Sequence, residues 1–338
     1  MAAQSAGLSV RPLVWLAAFV AAAALAQVVA GAWDRHAHPR RGLYADAGGH
    51  RLRLLVGGTA HAGPTVLLET GIGGATSVTW AWVQRGVERF APVVSYDRAG
   101  LGESEPGPMP RDGRRLVEEF HTALRNAGLH GPYVFAGHSY GGLLARLFVD
   151  RYPDEVAGVV LLESSHPRQF VPARGRPPAF LRVLRALVPA APWVARLGLM
   201  RAFVTVVRTD ADLLPPRERA EQKAFLASPA HWEGVAREME AWAPLTSPQA
   251  ARARDFGSRP LAVLTAGTSA ARARGWHSLQ DDLVTLSNDS VHRIVPGATH
   301  GSLIADSTHA QAVIATIHDV VQAVREGGRL RDIVPSGN

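Results

Sequence analysis

Gly137-His138-Ser139-Tyr140-Gly141-Gly142 sets a serine between small neighbours, after the apolar run Tyr133–Ala136 and before a helix-forming stretch. This G-x-S-x-G arrangement is the form a hydroxyl nucleophile needs on a tight strand-to-helix turn. Side chains at Gly137 or Gly141 would collide, and the turn aims the backbone N–H of Tyr140 at a developing oxyanion. A second donor is expected from Thr70-Gly71-Ile72-Gly73-Gly74, where glycines let the backbone approach a substrate closely, and Ile72 N–H is the candidate. Such a donor contributes about 3–4 kcal/mol to transition-state stabilisation. His300, in Pro296-Gly297-Ala298-Thr299-His300-Gly301, follows the last predicted strand, where a ring can reach back over the serine. Glu163 ends the apolar run Val156–Glu163; a carboxylate there is costly unless partnered. Orienting a histidine N–H would partner it, and so would a structural ion pair with a lid arginine.

The other histidines carry less chemistry. His138, beside Ser139, is expected to point away from it, His166 to line a pocket, and His292 to lie within a strand. His36 and His38 lie beside the N-terminal apolar segment and are not expected to hold a metal.

Strand and helix must alternate to position these groups. Leu43–Asp46 and Arg51–Val56 read as short strands around Gly48-Gly49, and Thr65–Glu69, Pro92–Asp97, Tyr133–Ala136 and Val156–Glu163 as buried strands. Helices are expected over Val78–Phe90, from an Asp112 cap to Asn126, and over Gly141–Arg151. From Ser164 to Ser258 no convincing strand appears and prolines punctuate helix-like stretches. Alternation resumes with the strand Pro260–Ala266, a helix around Trp276–Ser287, the strand Val291–Val295 and a helix near Thr308–Arg325. The pattern predicts a mostly parallel α/β sheet with helices on both faces and a helical lid inserted before the last two strands. The expected divisions are an N-terminal segment (1–35), core (40–165), cap (166–258) and core again (259–328).

The N-terminal segment has no charged residue from Pro12 to Ala32. Its length suits a membrane-spanning helix, while its alanine-rich middle and Ala24-Leu25-Ala26 suit a cleaved export signal. Arg11 on one side and Arg35, Arg40 and Arg41 on the other, taken literally, put the C-terminal domain in the cytoplasm; the side of the membrane stays open.

The 338 residues carry a formal net charge of +7, nearly all from arginine, since Lys223 is the only lysine. The arginines are scattered among acids without an RNA-binding motif or zinc-finger spacing, so no nucleic-acid partner is expected. No cysteine is present, which excludes disulfides, thiolate catalysis and cysteine-ligated metals.

Glu69-Thr70-Gly71-Ile72-Gly73-Gly74, Tyr96-Asp97-Arg98-Ala99-Gly100-Leu101-Gly102-Glu103-Ser104, the Ser139 turn and Val160–Pro167 are together similar to bacterial α/β-hydrolases. More narrowly, they resemble the Ser-His-acid group with a helical cap, many of which carry an N-terminal membrane helix. The resemblance runs from about Leu43 to about Ile317 and is weak across the lid. It implies serine hydrolysis without a cofactor, with nucleophile, acid and histidine in that chain order, hence Ser139 and His300. The usual acid position, after Leu261–Ala266, reads Gly267-Thr268-Ser269-Ala270-Ala271-Arg272 and holds no carboxylate. Asp281 and Asp282 lie farther along, inside the next helix. Glu163 occupies the alternative position. Two departures are Thr70, where histidine is frequent, and Glu163, where relatives usually show aspartate. Epoxide hydrolysis and dehalogenation use an aspartate nucleophile, where this chain has serine.

The expected activity is hydrolysis of a carboxylic ester or similar small acyl substrate. Phe180, Leu181, Leu184, Trp193, Trp232 and Trp242 of the lid either bind a hydrophobic acyl group or only pack the lid. Two other classes stand beside it. Gly71-Ile72-Gly73 followed by Asp97 imitates a dinucleotide-binding oxidoreductase, but Thr76 replaces the third glycine. A non-catalytic, membrane-tethered receptor could also use this scaffold, and the basic Ala179–Arg201 region could lie against lipid. Oligomeric state is not legible.

Overall fold

The computed structural model describes residues 11–170, 183, 186–268 and 275–333. In chain order the main elements are α1 (Arg11–Ala37), β1 (Leu43–Asp46), β2 (Arg51–Gly57), β3 (Thr65–Glu69), α2 (Ala81–Val87), β4 (Val93–Tyr96), α3 (Gly113–Asn126), β5 (Tyr133–His138), α4 (Gly141–Arg151) and β6 (Val156–Leu162). There follow α5 (Ala191–Arg196), α6 (Leu199–Val206), α7 (Pro216–Ala227), α8 (Pro229–Ala241), α9 (Ser247–Ala251), β7 (Leu261–Ala266), α10 (Trp276–Val284), β8 (Ser290–Val295), α11 (Ser302–Ala305) and α12 (His309–Glu326).

Eight strands form one sheet in the order β1-β2-β4-β3-β5-β6-β7-β8. β2 runs antiparallel to both β1 and β4, and every pairing from β4 onward is parallel. Parallel strands covered on both faces need continuous apolar runs. Alternate side chains accordingly feed two cores. Leu67, Phe135 and Leu161 pack with Phe120 of α3 and Phe148 of α4. Val66, Leu68, Val134 and Val160 pack with Val83 of α2 and Val313 and Ile317 of α12.

Two predicted helices are shorter than expected. The chain over Val78–Phe90 starts as a 3-10 turn at Ser77–Trp80 and is α-helical only over Ala81–Val87. Its end tightens, with Arg89 and Phe90 N–H donating to the carbonyls three residues back. α10 stops at Val284. Asp112 caps α3 through Arg115 N–H, the N-cap bond its side chain was expected to supply.

Between β6 and β7 every named element is helical. α7 and α8 are bolted to the core by buried charge. Arg53, fully buried on β2, holds Glu221 of α7 at 2.7 Å, Glu103 at 3.0 Å and Asp97 at 3.1 Å. Arg98, after β4, holds Glu238 of α8 through a two-pronged contact at 2.8 and 2.9 Å.

Candidate active site

β5 carries the chain to the C-terminal edge of the sheet, and α4 starts two residues after Ser139. The turn between them needs its glycines: a Cβ on Gly137 would lie 2.4 Å from Gly141 O, and one on Gly141 2.5 Å from Glu69 O. Ser139 has φ 55 and Glu163 φ 45, and they are the two non-glycine residues at positive φ among those described. Such backbone costs about 1–3 kcal/mol each and persists where its surroundings enforce it, often at functional sites. Ser139 N–H donates to Leu162 O, and Ser165 N–H donates to Ser139 O, so β6 and the turn after it clamp the strained residue.

The loop after β3 runs against this turn. A Cβ on Gly71 would meet Ser139 Cβ at 3.1 Å and His138 Nδ1 at 3.3 Å. Neither Ile72 N–H nor Tyr140 N–H has an acceptor among the described residues. Arg98 fixes the loop from below, donating to Thr70 O at 3.0 Å, Thr70 Oγ1 at 2.9 Å and Gly71 O at 2.8 Å, and to Glu69 at 2.7 Å. Glu69 also accepts from the Tyr96 hydroxyl.

Glu163, 1% exposed, accepts from Ala266 N–H at 2.7 Å and from Trp276 Nε1–H at 2.8 Å. The same Oε1 that receives Trp276 lies 3.9 Å from His300 Nδ1. That separation is too long for a direct hydrogen bond. His300 itself is half exposed, in the turn after β8.

A cavity of about 220 Å³ joins these groups. Ser139, His300, His138 and the Gly71–Gly74 loop form its core wall; Thr209, Asp210, Ala211, Gln222 and Leu226 form its cap wall. Ser139, His300 and Ile72 therefore share one space, with Glu163 behind His300. Residues 269–272 of the loop after β7, where an acid was first sought, lie outside the described residues.

Several expectations are corrected. His138 does not turn away from the site. Its ring lines the cavity 4.7 Å from the His300 ring and its Nε2 donates to His300 O at 2.8 Å. That bond assigns the proton to Nε2, and burial, helped by the nearby imidazole, lowers its pKa to about 3. His166 turns to Asp282 at 2.8 Å and is not among the lining residues. His292 lies on β8 as expected, bonded to Thr265 and Asp281. Of the lid aromatics, Trp193 is exposed beside Arg196, Trp232 donates to Leu226 O, and Trp242 packs against Tyr140 and Phe170. None of these three lines the cavity. Phe180, Leu181 and Leu184 lie outside the described residues.

Asp97 is fully buried, accepting from Ser77 N–H and Glu103 N–H beside Arg53, so it is not presented to a ribose. Sequence reasoning missed Asp210 and Gln222, which nothing in their neighbourhood signals. It also missed the part played by Arg98, although a charged residue directly after a buried strand was a signal.

A largely parallel sheet with a serine on a strained turn at its C-terminal edge defines the α/β-hydrolase architecture. The family model described as "alpha/beta hydrolase fold" matches residues 64–208. Over 146 residues the chain is 34% identical to "Probable transporter efuK" of Hormonema carpetanum, covering 40% of this chain and 20% of that protein. The chain thus spans about a fifth of that relative's length. Among solved structures, a "putative epoxide hydrolase" from Pseudomonas aeruginosa superposes with a TM-score of 0.69 at 22% identity, covering 86% of this chain and 97% of that one. A "putative lipase (lip1)" from Acinetobacter baumannii AYE gives 0.65 at 18% identity, covering 89% and 97%. The chain has the α/β-hydrolase fold.

Proposed function

We propose that the protein is a serine hydrolase of carboxylic esters or related acyl substrates. His300 takes the proton of Ser139 as its hydroxyl attacks the carbonyl carbon, and Glu163 stabilises the imidazolium that forms. Ile72 and Tyr140 N–H receive the oxyanion, which collapses as His300 returns the proton to the leaving alcohol. Water then attacks the acyl-enzyme by the same route and restores Ser139. The reading rests on one observation above all: among the described residues, the two non-glycine ones held at positive φ are the serine and the carboxylate, and the serine shares a cavity with His300. No step calls on a cofactor.

The epoxide-hydrolase names among the structural neighbours suggest a different chemistry. That chemistry uses a carboxylate nucleophile, and a hydroxyl at Ser139 favours acyl transfer. We further propose that α1 is a membrane helix. It spans 27 residues, with mean hydropathy 2.3 over its most apolar window, and its apolar side chains are largely exposed.

The test is a fluorophosphonate probe on the full chain, with p-nitrophenyl acetate turnover measured in parallel. Labelling at Ser139 and turnover, both lost in Ser139→Ala, are expected. A folded chain that neither labels nor turns over would leave the scaffold as a binding module.

A further inference from the structure

α1 does not stand clear of the domain. Gln27 is buried, its Nε2 donating to Ala227 O at the end of α7 (2.8 Å) and its Oε1 accepting from Arg201 of α6 (3.0 Å). Arg201 also reaches Asp34 at 2.6 Å. Gln27 lies inside the uncharged run Pro12–Ala32, so the cap touches α1 within its apolar length and not beyond it. The described helix before that contact, Arg11–Ala26, rises roughly 24 Å at 1.5 Å per residue. A bilayer hydrocarbon core is about 30 Å thick. With α1 embedded, α6 and the end of α7 must therefore lie at the membrane surface.

The exposed surface of α6 suits that place. Leu199, Phe203 and Val206 are 55%, 50% and 83% exposed and fall at i, i+4 and i+7, one stripe of the helix. Val207, directly after the helix, is 42% exposed, and Trp193 of the preceding α5 is 67% exposed. A soluble surface has no reason to concentrate large apolar groups on one short helix. Arg208, just past α6, is exposed, as are Arg35 in the last turn of α1 and Arg40 after it, and cations favour lipid headgroups.

We infer that α6 docks, apolar stripe inward, into the headgroup region of the same leaflet that holds α1. This rests on reading α1 as a membrane helix and deepens the proposed function. Thr209, Asp210 and Ala211 directly follow α6, and Gln222 and Leu226 belong to α7; all five form the cap wall of the Ser139 cavity. Docking thus sets the cavity's cap wall beside the lipid, so the substrate class is an acyl ester partitioned in the bilayer.

The absence of cysteine permits a direct test. Leu16→Cys, Val206→Cys and His130→Cys are each labelled with an environment-sensitive fluorophore in the full chain, reconstituted into phosphatidylcholine–phosphatidylglycerol vesicles with or without nitroxide lipid. Quenching at positions 16 and 206, and none at 130, is expected. Quenching at 16 without quenching at 206 overturns the docking, and a blue shift at 206 without quenching means that protein, such as a second copy, covers the stripe and overturns it too. No quenching at 16 removes the membrane helix itself, and the docking with it. In a second arm, Phe203→Asp with Val206→Asp should slow hydrolysis of a vesicle-embedded long-chain p-nitrophenyl ester about tenfold or more, with soluble p-nitrophenyl acetate unaffected. Equal effects on both esters refute the docking. A parent protein inert towards both refutes the hydrolase reading instead.

Discussion

Replacing Arg98 by methionine keeps most of the side-chain volume and removes the charge that two carboxylates depend on. Glu69 and Glu238 are each 1% exposed, and Arg98 is their cationic partner. Breaking a buried pair by deleting one partner costs about 3–5 kcal/mol, because the other charge stays behind unpaired. The bonds to Thr70 O and Gly71 O are lost as well, which frees the loop that carries Ile72. Stability and catalysis should then separate. Adding Glu69→Gln and Glu238→Gln to Arg98→Met removes the stranded charges, so at least about half of the lost stability should return. The loop carbonyls remain unheld, so kcat should stay depressed by about tenfold or more, part of the value of one oxyanion donor. Urea denaturation followed by tryptophan fluorescence reads the first quantity, and p-nitrophenyl acetate turnover the second. An Arg98→Met loss below about 1 kcal/mol, or full recovery of kcat in the triple variant, would refute the reasoning.

Three further outcomes follow from the same geometry. His231 of α8 donates from Nε2 to Gly74 O and accepts at Nδ1 from Gly102 N–H, an arrangement only the neutral ring can make. Burial lowers its pKa from 6.5 to about 4, so the unfolded chain takes up the proton first. The stabilisation is whole above about pH 6.5 and is lost as pH falls from there towards 4, by up to about 1.4 kcal/mol per pH unit. Urea midpoints across that window should show a slope one proton shallower in His231→Gln; an unchanged slope counts against the assignment. Gly71→Ala puts a methyl 3.1 Å from Ser139 Cβ, tighter than ordinary contact. Esterase activity should fall by about 10²-fold while the urea midpoint moves little, and the reverse pattern would place the loop away from the reacting centre. Glu163→Gln should lower kcat by roughly 10²–10⁴-fold. A loss under about tenfold would return Glu163 to a structural role.

The inner strands were legible along the chain because they are continuous apolar runs, the pattern that a sheet covered on both faces imposes on Thr65–Glu69 and Tyr133–Ala136. The elbow was legible for a steric reason, the need for Gly137 and Gly141. The cap was legible only as an interruption. Its helices are placed by contacts across long stretches of chain, such as Arg53 with Glu221 and Arg98 with Glu238, and no local periodicity announces such partners. The expected aromatic lining failed for the same reason: Trp242 has the composition of a binding residue but packs under Tyr140. His138 was misjudged because a residue on a turn can face either way. Only the folded position of His300 O shows where its Nε2 goes.

The contacts of the cap also say how it can open. α7 and α8 hold the core through Arg53, Arg98 and His231, all buried, so lifting them would separate paired charges and break the support beneath the Gly71 loop. α5 and α6 carry no comparable anchor: the described bonds of Arg201 go to α1, and those of Arg196 to Glu233 within the cap. Local opening follows the least buried and least bonded unit. Entry to the Ser139 cavity should therefore lie on the α6 side, through the segment that ends at Thr209 and Asp210. Amide hydrogen exchange on the full chain in micelles tests this directly. Ala191–Val206 should exchange well before Pro216–Ala241, and a cap that exchanges as one unit, or in the opposite order, would mean that α7 and α8 move with the gate.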